Sequence, residues 1–346
     1  MNTHQIDTQN MKNAIYDFPD HLEDALNIGK QFQPKNIFTN IQNIVVTGMG
    51  GSAIGGDICY TLVSDELNVP LIVNRNYSLP NWVNEHTLVI CSSYSGNTEE
   101  TLASYKEAKA NGAQICGIST GGILTEKLIG DQFDLVKTPG GLQPRAALAY
   151  SVIPMLYVLK GQGLIGNSIF DDISETIELL RIHREEYRLE DKTNQTYSLA
   201  SSVYQTLPII YGTSGSTSVA ALRLKGQFSE NADMMAYFNE LPEMNHNEIV
   251  GWENNSEIIE KMSVLWLLDE NDNERVQLRQ KITRGIINNN NHHQYIISVK
   301  GSTARIRLLH FIHFGDWVSY WCAILHHTDP TPVEPIMQLK SELSTA

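Results

Sequence analysis

Ile44-Val45-Val46 is followed, after one threonine, by Gly48-Met49-Gly50-Gly51-Ser52-Ala53-Ile54-Gly55-Gly56. A β-branched run without polar alternation has to be covered on both faces, which is the position of a strand in a parallel sheet. The glycines then permit a sharp turn, and a helix must carry the chain back before the next parallel strand begins. The pattern continues. Pro70 to Val73 gives a further strand, and Leu88-Val89-Ile90 leads through Ser92 to Thr98 into a helix reaching about Lys109. Ile115 to Ile118 and Leu135-Val136 follow, and a long helix comes after Pro144. The fold class read from this alternation is α/β, a mostly parallel sheet flanked by helices.

The alternation is interrupted and then restarts. Asp20 to Lys30 reads as an opening amphipathic helix, and 165–200 is a charge-rich helical stretch with Ile173, Ile177, Leu180 and Ile182 among Glu and Arg. Leu207 to Tyr211 then runs into Gly212-Thr213-Ser214-Gly215-Ser216 and a helical 219–228. Strands at Val264 to Leu268 and Tyr295 to Val299, a long helix from Ala304 to Ile324, and a last short helix after Asp329-Pro330-Thr331-Pro332 complete the chain. A length of 346 residues suits two domains, each of about 150 residues. The division expected is 1–160 for an N-terminal domain with its leading helix, 161–200 for an interdomain helical linker, and 201–346 for a C-terminal domain. The shared device, an apolar strand ending in a Gly/Ser loop that opens a helix, suggests duplication, although the two loops are not close copies.

A formal net charge of −14 argues against a nucleic-acid partner, whose footprint would be basic. It also means that a phosphate ligand must be held by locally aimed donors, because the overall field repels anions. Cys59, Cys91, Cys116 and Cys322 are scattered among apolar neighbours without a Cys-x-x-Cys pair, as in reduced cytoplasmic proteins. The polar N-terminus carries no signal-peptide core, and the apolar run Ala146 to Leu159 is interrupted by Ser151 and Pro154 and too short to cross a bilayer. A soluble, cytoplasmic protein with no membrane partner is expected.

The loop after the first strand satisfies Gly48-x-Gly50-x-x-Ala53, a dinucleotide-binding fingerprint. That fingerprint needs an acidic residue at the end of the second strand, where this chain has Val73-Asn74-Arg75. An NADP-dependent oxidoreductase therefore stays open and an NAD enzyme is weakened. The loop Ser92-Ser93-Tyr94-Ser95-Gly96-Asn97-Thr98-Glu99-Glu100-Thr101 weighs more. Clustered hydroxyls at a helix start, directly after a buried strand, match the three oxygens of a terminal phosphate without a metal. The bland alternative is a capping box closed by the following glutamates.

The two loops closely resemble the phosphate-binding elements of sugar-isomerase (SIS) domains, with their Ser-x-Ser-Gly-x-Thr turn. That resemblance implies that Gly51, Ser52, Ser93, Ser95 and Thr98 grip a sugar phosphate. Further on stand Leu224-Lys225-Gly226-Gln227-Phe228-Ser229-Glu230-Asn231-Ala232 and Leu241-Pro242-Glu243-Met244-Asn245-His246-Asn247-Glu248-Ile249. With Pro144-Arg145, Asp329-Pro330-Thr331-Pro332 and Lys340, they are similar to the bifunctional phosphoglucose/phosphomannose isomerases over essentially the whole chain. The resemblance implies two tandem SIS domains and an aldose–ketose isomerase acting on a phosphorylated hexose. In it Glu230 shuttles the proton between C1 and C2, Arg145 stabilises the enediolate, and His246 and Lys340 assist ring opening. It implies no cofactor, and a homodimer in which His246 enters the partner's active site.

Taken singly, each of these residues has an ordinary reading. Glu230 is a solvated helix-end charge, His246 between two asparagines is turn chemistry, Arg145 is a surface cation and Lys340 faces solvent. Their occurrence together, in the family's order and behind two phosphate loops, carries the functional reading. His310 and His313 have metal-ligand spacing but no evident third ligand, so no metal is expected. A sugar-phosphate-sensing module without catalysis is the second rival. The apolar helix with Phe311, Phe314, Trp317 and Trp321 either supplies a dimer contact or fills its own domain's core.

Overall fold

The computed structural model describes residues 3–343 and 345. Two short helices, α1 (Thr3–Ile6) and α2 (Met11–Tyr16), lead into α3 (Phe18–Gln31). The first alternating series is β1 (Asn43–Thr47), α4 (Gly50–Val63), β2 (Leu71–Asn74), β3 (Thr87–Ser92), α5 (Glu99–Ala110), β4 (Gln114–Ser119), α6 (Gly122–Gly130) and β5 (Asp134–Lys137). The long helices α7 (Ala149–Gly161) and α8 (Ser168–Tyr187) and the shorter α9 (Gln195–Val203) follow. The second series is β6 (Leu207–Thr213), α10 (Ser218–Ala232), β7 (Tyr237–Leu241), α11 (Ser256–Ile259), β8 (Met262–Leu267), α12 (Glu274–Ile287), β9 (Gln294–Ile297), α13 (Ala304–His326) and α14 (Glu334–Leu343).

Both sheets are parallel throughout, with orders β2-β1-β3-β4-β5 and β7-β6-β8-β9. Val45 on β1 stands beside Ile72 on one side and Val89 on the other. Val45 and Val89 are fully buried, which accounts for the unbroken apolar runs. In each sheet the order reverses beside the first strand, between β1 and β3 and between β6 and β8. Crevices at the carboxyl ends of strands at such a reversal are the usual ligand positions of open α/β sheets.

The chain divides into two compact units, residues 17–179 and residues 1–16 with 180–346. The division falls inside the segment 161–200 expected to be interdomain. The leading residues, assigned by sequence to the N-terminal domain, instead group with the C-terminal unit. Their own chemistry explains this: Met11 and Ile15 are buried, the Ile15 carbonyl is 3.0 Å from His313 Nε2 on α13, and the Lys12 ammonium lies 5.4 Å from the Trp321 ring centre.

The aromatic helix is settled as core. Phe311, Phe314, Trp317 and Trp321 on α13 are all buried within their own unit. Trp321 Nε1 donates to the Tyr187 carbonyl at 2.9 Å, and Trp317 Nε1 to His313 Nε2 at 3.0 Å, so even the polar edges of the indoles are used inside. These side chains therefore do not form a dimer face. The edge strand β7 was not expected from the sequence. The apolar stretch before Gly161 forms α7, and among the described residues no helix is long and apolar enough to cross a membrane.

Candidate active site

In unit 17–179 the two hydroxyl- and glycine-rich loops meet at the β1/β3 reversal. Ser52, in the first turn of α4, accepts a hydrogen bond on Oγ from the Tyr94 backbone N–H at 3.3 Å. Ser93 Oγ lies 2.9 Å from Thr98 Oγ1 and accepts the Gly96 N–H at 3.1 Å. Ser95 Oγ is exposed and accepts the Asn97 N–H at 3.2 Å. Gly96 has φ +70°, and a Cβ there would stand 1.8 Å from the Gly121 carbonyl oxygen, so the turn requires glycine.

Thr98 occupies the N-cap position of α5, yet its side chain makes no capping bond. Its hydroxyl pairs with Ser93 instead. The capping-box reading thus fails for the residue that would have had to carry it, and the hydroxyls are arranged around one another at the amino end of a helix.

Arg145 arrives at the same place from far along the chain. A Cβ on Gly51 would lie 2.6 Å from the Pro144 carbonyl oxygen, so the glycine loop and the Pro144-Arg145 backbone touch. The segment is also tied to the hydroxyl loop, since the Leu142 N–H donates to the Tyr94 hydroxyl at 3.2 Å. Arg145 is buried, as are Ser52 and Ser93. Burial raises the pKa of the Tyr94 phenol, so that it stays a neutral hydroxyl. A larger hollow of about 700 Å³ lies elsewhere in this unit, against β5 and lined by Ile28, Phe32, Phe133 and Lys137. It contains none of the predicted residues.

The other three predicted residues belong to the unit formed by 1–16 and 180–346. Glu230 is half-buried in the last turn of α10. His246 is exposed at the end of a short 3-10 turn, Glu243–His246, and Lys340 is exposed on α14, no residue of which is buried. The structure thus brings Gly51, Ser52, Ser93, Ser95, Thr98 and Arg145 into one unit, with Glu230, His246 and Lys340 on three separate elements of the other.

A family model for the bacterial phospho-glucose isomerase C-terminal SIS domain matches residues 192–343. The bifunctional phosphoglucose/phosphomannose isomerase of Caldicellulosiruptor bescii is 44% identical over 336 residues, 96% of this chain and 99% of that protein. The chain belongs to the bifunctional phosphoglucose/phosphomannose isomerase family. Another member, from Aquifex aeolicus, is 35% identical and covers 90% of this chain and 95% of its own. The solved C-terminal domain of glucosamine-fructose-6-phosphate aminotransferase from Francisella tularensis superposes with a TM-score of 0.69 at 15% identity, over 93% and 98% of the two chains. That likeness speaks for the SIS fold.

In this phosphoglucose/phosphomannose isomerase family chain the two sheet reversals differ in the loop after their second strand. After β8, where the hydroxyl loop stands after β3, the sequence is Leu268-Asp269-Glu270-Asn271-Asp272. Asp269 is held by Arg307 through Nε at 2.7 Å and Nη2 at 2.8 Å, and Arg307 also reaches Glu270 and Asn271. Asp272 accepts from the Thr213 hydroxyl at 2.7 Å. Carboxylates here would repel phosphate, and the guanidinium that could hold it is already spent on them. Sequence reading passed over this contrast, although an acidic loop in the place of a serine-rich one was a visible signal.

A second cluster also went unread. Glu248 accepts from the hydroxyls of Tyr211 and Tyr237 and from Asn239 Nδ2, with the Tyr237 bond at 2.9 Å. It anchors the segment that carries His246 to β6 and β7. Arg75, which a nicotinamide 2′-phosphate would need, is ion-paired with Asp57.

Proposed function

We propose that this chain interconverts glucose 6-phosphate, mannose 6-phosphate and fructose 6-phosphate by ring opening and proton transfer through an enediolate. Its membership of a family whose named relatives are bifunctional phosphoglucose/phosphomannose isomerases along almost their full length supports the activity. The observation that carries the phosphate assignment is the Ser93–Thr98 hydroxyl pair, uncommitted to helix capping, at the β1/β3 reversal. In this reading Gly51, Ser52, Ser93, Ser95 and Thr98 hold the phosphate with backbone and hydroxyl donors, as an acidic protein requires.

Buried Arg145 supplies a fixed positive charge for the developing oxyanion. Glu230 takes the proton from one carbon and returns it to its neighbour. His246 and Lys340 move the protons that open the ring. The site residues are side chains and backbone amides, with neither a metal nor a nucleotide in the scheme. A cytoplasmic homodimer with active sites shared between subunits is part of the proposal. Its support is the exposure of Met235, Tyr237 and Val250 around the segment that bears His246.

The experiment is an assay on fructose 6-phosphate that detects glucose 6-phosphate and mannose 6-phosphate separately, with and without chelator. Formation of both products at an undiminished rate with chelator is expected. Failure to form either overturns the activity, and loss of rate restored by zinc overturns the metal-free scheme.

A further inference from the structure

The contact between α10 and α13 is polar at its centre although it is buried throughout. Arg223 Nη2 donates to Asp316 Oδ2 at 2.8 Å, Gln227 Nε2 to Asp316 Oδ1 at 2.9 Å, and Asn231 Nδ2 to Ser319 Oγ at 3.0 Å. Ser319 Oγ in turn donates to the Asp316 carbonyl at 2.8 Å. All five side chains are at most 5% exposed. Arg223, Gln227 and Asn231 are four residues apart along α10, so they form one stripe down its face, flanked by buried Leu224 and Phe228.

Two apolar helix faces would pack here without these groups, and a buried ion pair seldom outperforms an apolar replacement in stability. The Asp316 carboxyl shows the cost: burial raises its pKa despite the neighbouring guanidinium, so attraction to Arg223 does not offset desolvation. What the seam does supply is direction. An apolar contact tolerates small slides and rotations, whereas any shift of α10 on α13 breaks the buried bonds that Arg223 and Gln227 make to Asp316. Glu230 sits three residues after Gln227 and one before Asn231, about 60° around the helix from the former. Its carboxylate is therefore bracketed by two anchored positions.

We propose that the Arg223–Asp316–Gln227 and Asn231–Ser319 bonds are a positioning device that fixes the rotation and register of α10 and so aims Glu230 at the reacting carbons. This rests on the reading of Glu230 as the proton-transfer base. Seam residues are positioning residues and do not touch substrate. They lie in the unit that does not contain the hydroxyl loops, so their loss should leave phosphate binding intact.

The test compares steady-state kinetics and thermal unfolding of the full chain carrying Gln227→Met with Asn231→Leu against wild type. An unfolding temperature close to wild type, a kcat lowered about 10- to 100-fold and a KM for fructose 6-phosphate unchanged within about threefold are expected. A folded variant with wild-type kcat overturns the proposal. Should the pair of substitutions prevent folding, Ser319→Ala and Ser319→Thr decide on the same split. A fall in kcat with alanine that threonine restores supports the device, and wild-type kcat in both overturns it. Glu230→Gln is measured in parallel. A wild-type rate there overturns the base assignment and the proposal with it, whereas an inactive Glu230→Gln beside fully active seam variants overturns the seam alone.

Discussion

Ser93 and Thr98 share a hydrogen bond, Oγ to Oγ1 at 2.9 Å, that replaces the bond an N-cap threonine ordinarily makes to its own helix. An N-cap hydroxyl contributes about 1 kcal/mol to a helix when it caps. Here that stabilisation is absent and the amino end of α5 is left open to an outside acceptor, with Glu99 and Glu100 on its first turn. Negative residues suit that end of the dipole, but a bound phosphate has to compete with them, which makes the hydroxyl and amide donors decisive.

Removing those donors should weaken substrate binding selectively. In the proposed site Ser95→Ala and Thr98→Ala each delete a hydrogen bond to an ionised group worth about 1.5–3 kcal/mol. The expected outcome is a raised KM for fructose 6-phosphate with little change in kcat. Competition by phosphorylated and unphosphorylated sugars provides the check. Equal weakening of both classes would place the lost contact somewhere other than the phosphate.

The candidate phosphate loops were legible in the primary structure because their signals are local. A strand, a glycine loop and a hydroxyl cluster at a helix start are contiguous in sequence, so the arrangement of donors can be read from spacing alone. What escaped were relationships between distant residues. Nothing near Pro144 announces that its carbonyl lies against Gly51, and nothing in Arg223 announces Asp316. Strand β7 escaped because an edge strand is half exposed, so Tyr237 to Leu241 shows no continuous apolar run. The grouping of the leading helices escaped because it depends on α13 as the surface they pack against.

Gly51 provides a steric test of how Arg145 is placed. In Gly51→Ala the new Cβ would come within 2.6 Å of the Pro144 carbonyl oxygen, so the backbone that carries Arg145 must yield. Displacing a catalytic group by about 1 Å commonly costs on the order of 10²-fold in rate. A kcat reduced to that extent in a folded protein is expected. Kinetics beside a denaturation curve check it, and wild-type turnover would separate Arg145 from the chemistry.

If Glu230 is the base, Glu230→Gln removes it and keeps the shape. It should lower kcat by about 10²- to 10⁴-fold while a non-reacting hexose-phosphate analogue binds as before. Inhibitor titration of the variant and of wild type gives the comparison. Near-normal turnover would show that another group moves the proton.

Acid stability should be limited by two buried imidazoles. Burial, the largest cause in each case, holds His310 down at about 4 and His313 at about 3, with the His310 hydrogen bond to the Lys300 carbonyl pulling the other way. Both are neutral in the folded and unfolded chain at pH 8, so they contribute no pH dependence there. Below about 6.5 the unfolded chain takes up protons that the folded chain refuses, and stability falls with pH down to the folded values. At pH 5 the loss is about 2 kcal/mol for each histidine. Urea midpoints at pH 7.5 and pH 5 should converge when both are replaced by glutamine. An undiminished pH dependence in that variant would assign the acid limit to other groups.

The last prediction concerns assembly. With the aromatic residues of α13 committed to their own core, a dimer contact has to come from elsewhere. The exposed Met235, Tyr237 and Val250 flank the turn that presents His246 to solvent. If His246 completes the site of the partner subunit, two inactive variants should complement each other. Glu230→Gln and His246→Ala chains, refolded together at equal concentration, give a random mixture of dimers, of which about half are mixed. In a mixed dimer with shared sites, one site carries both lesions and the other carries none. Roughly a quarter of wild-type activity should therefore return. If Glu230 and His246 act within one chain, every site keeps one lesion and the mixture is as inactive as its parents. Native mass measurement of the mixture, taken beside the activity, shows whether mixed dimers have formed, and their presence without activity excludes the shared site.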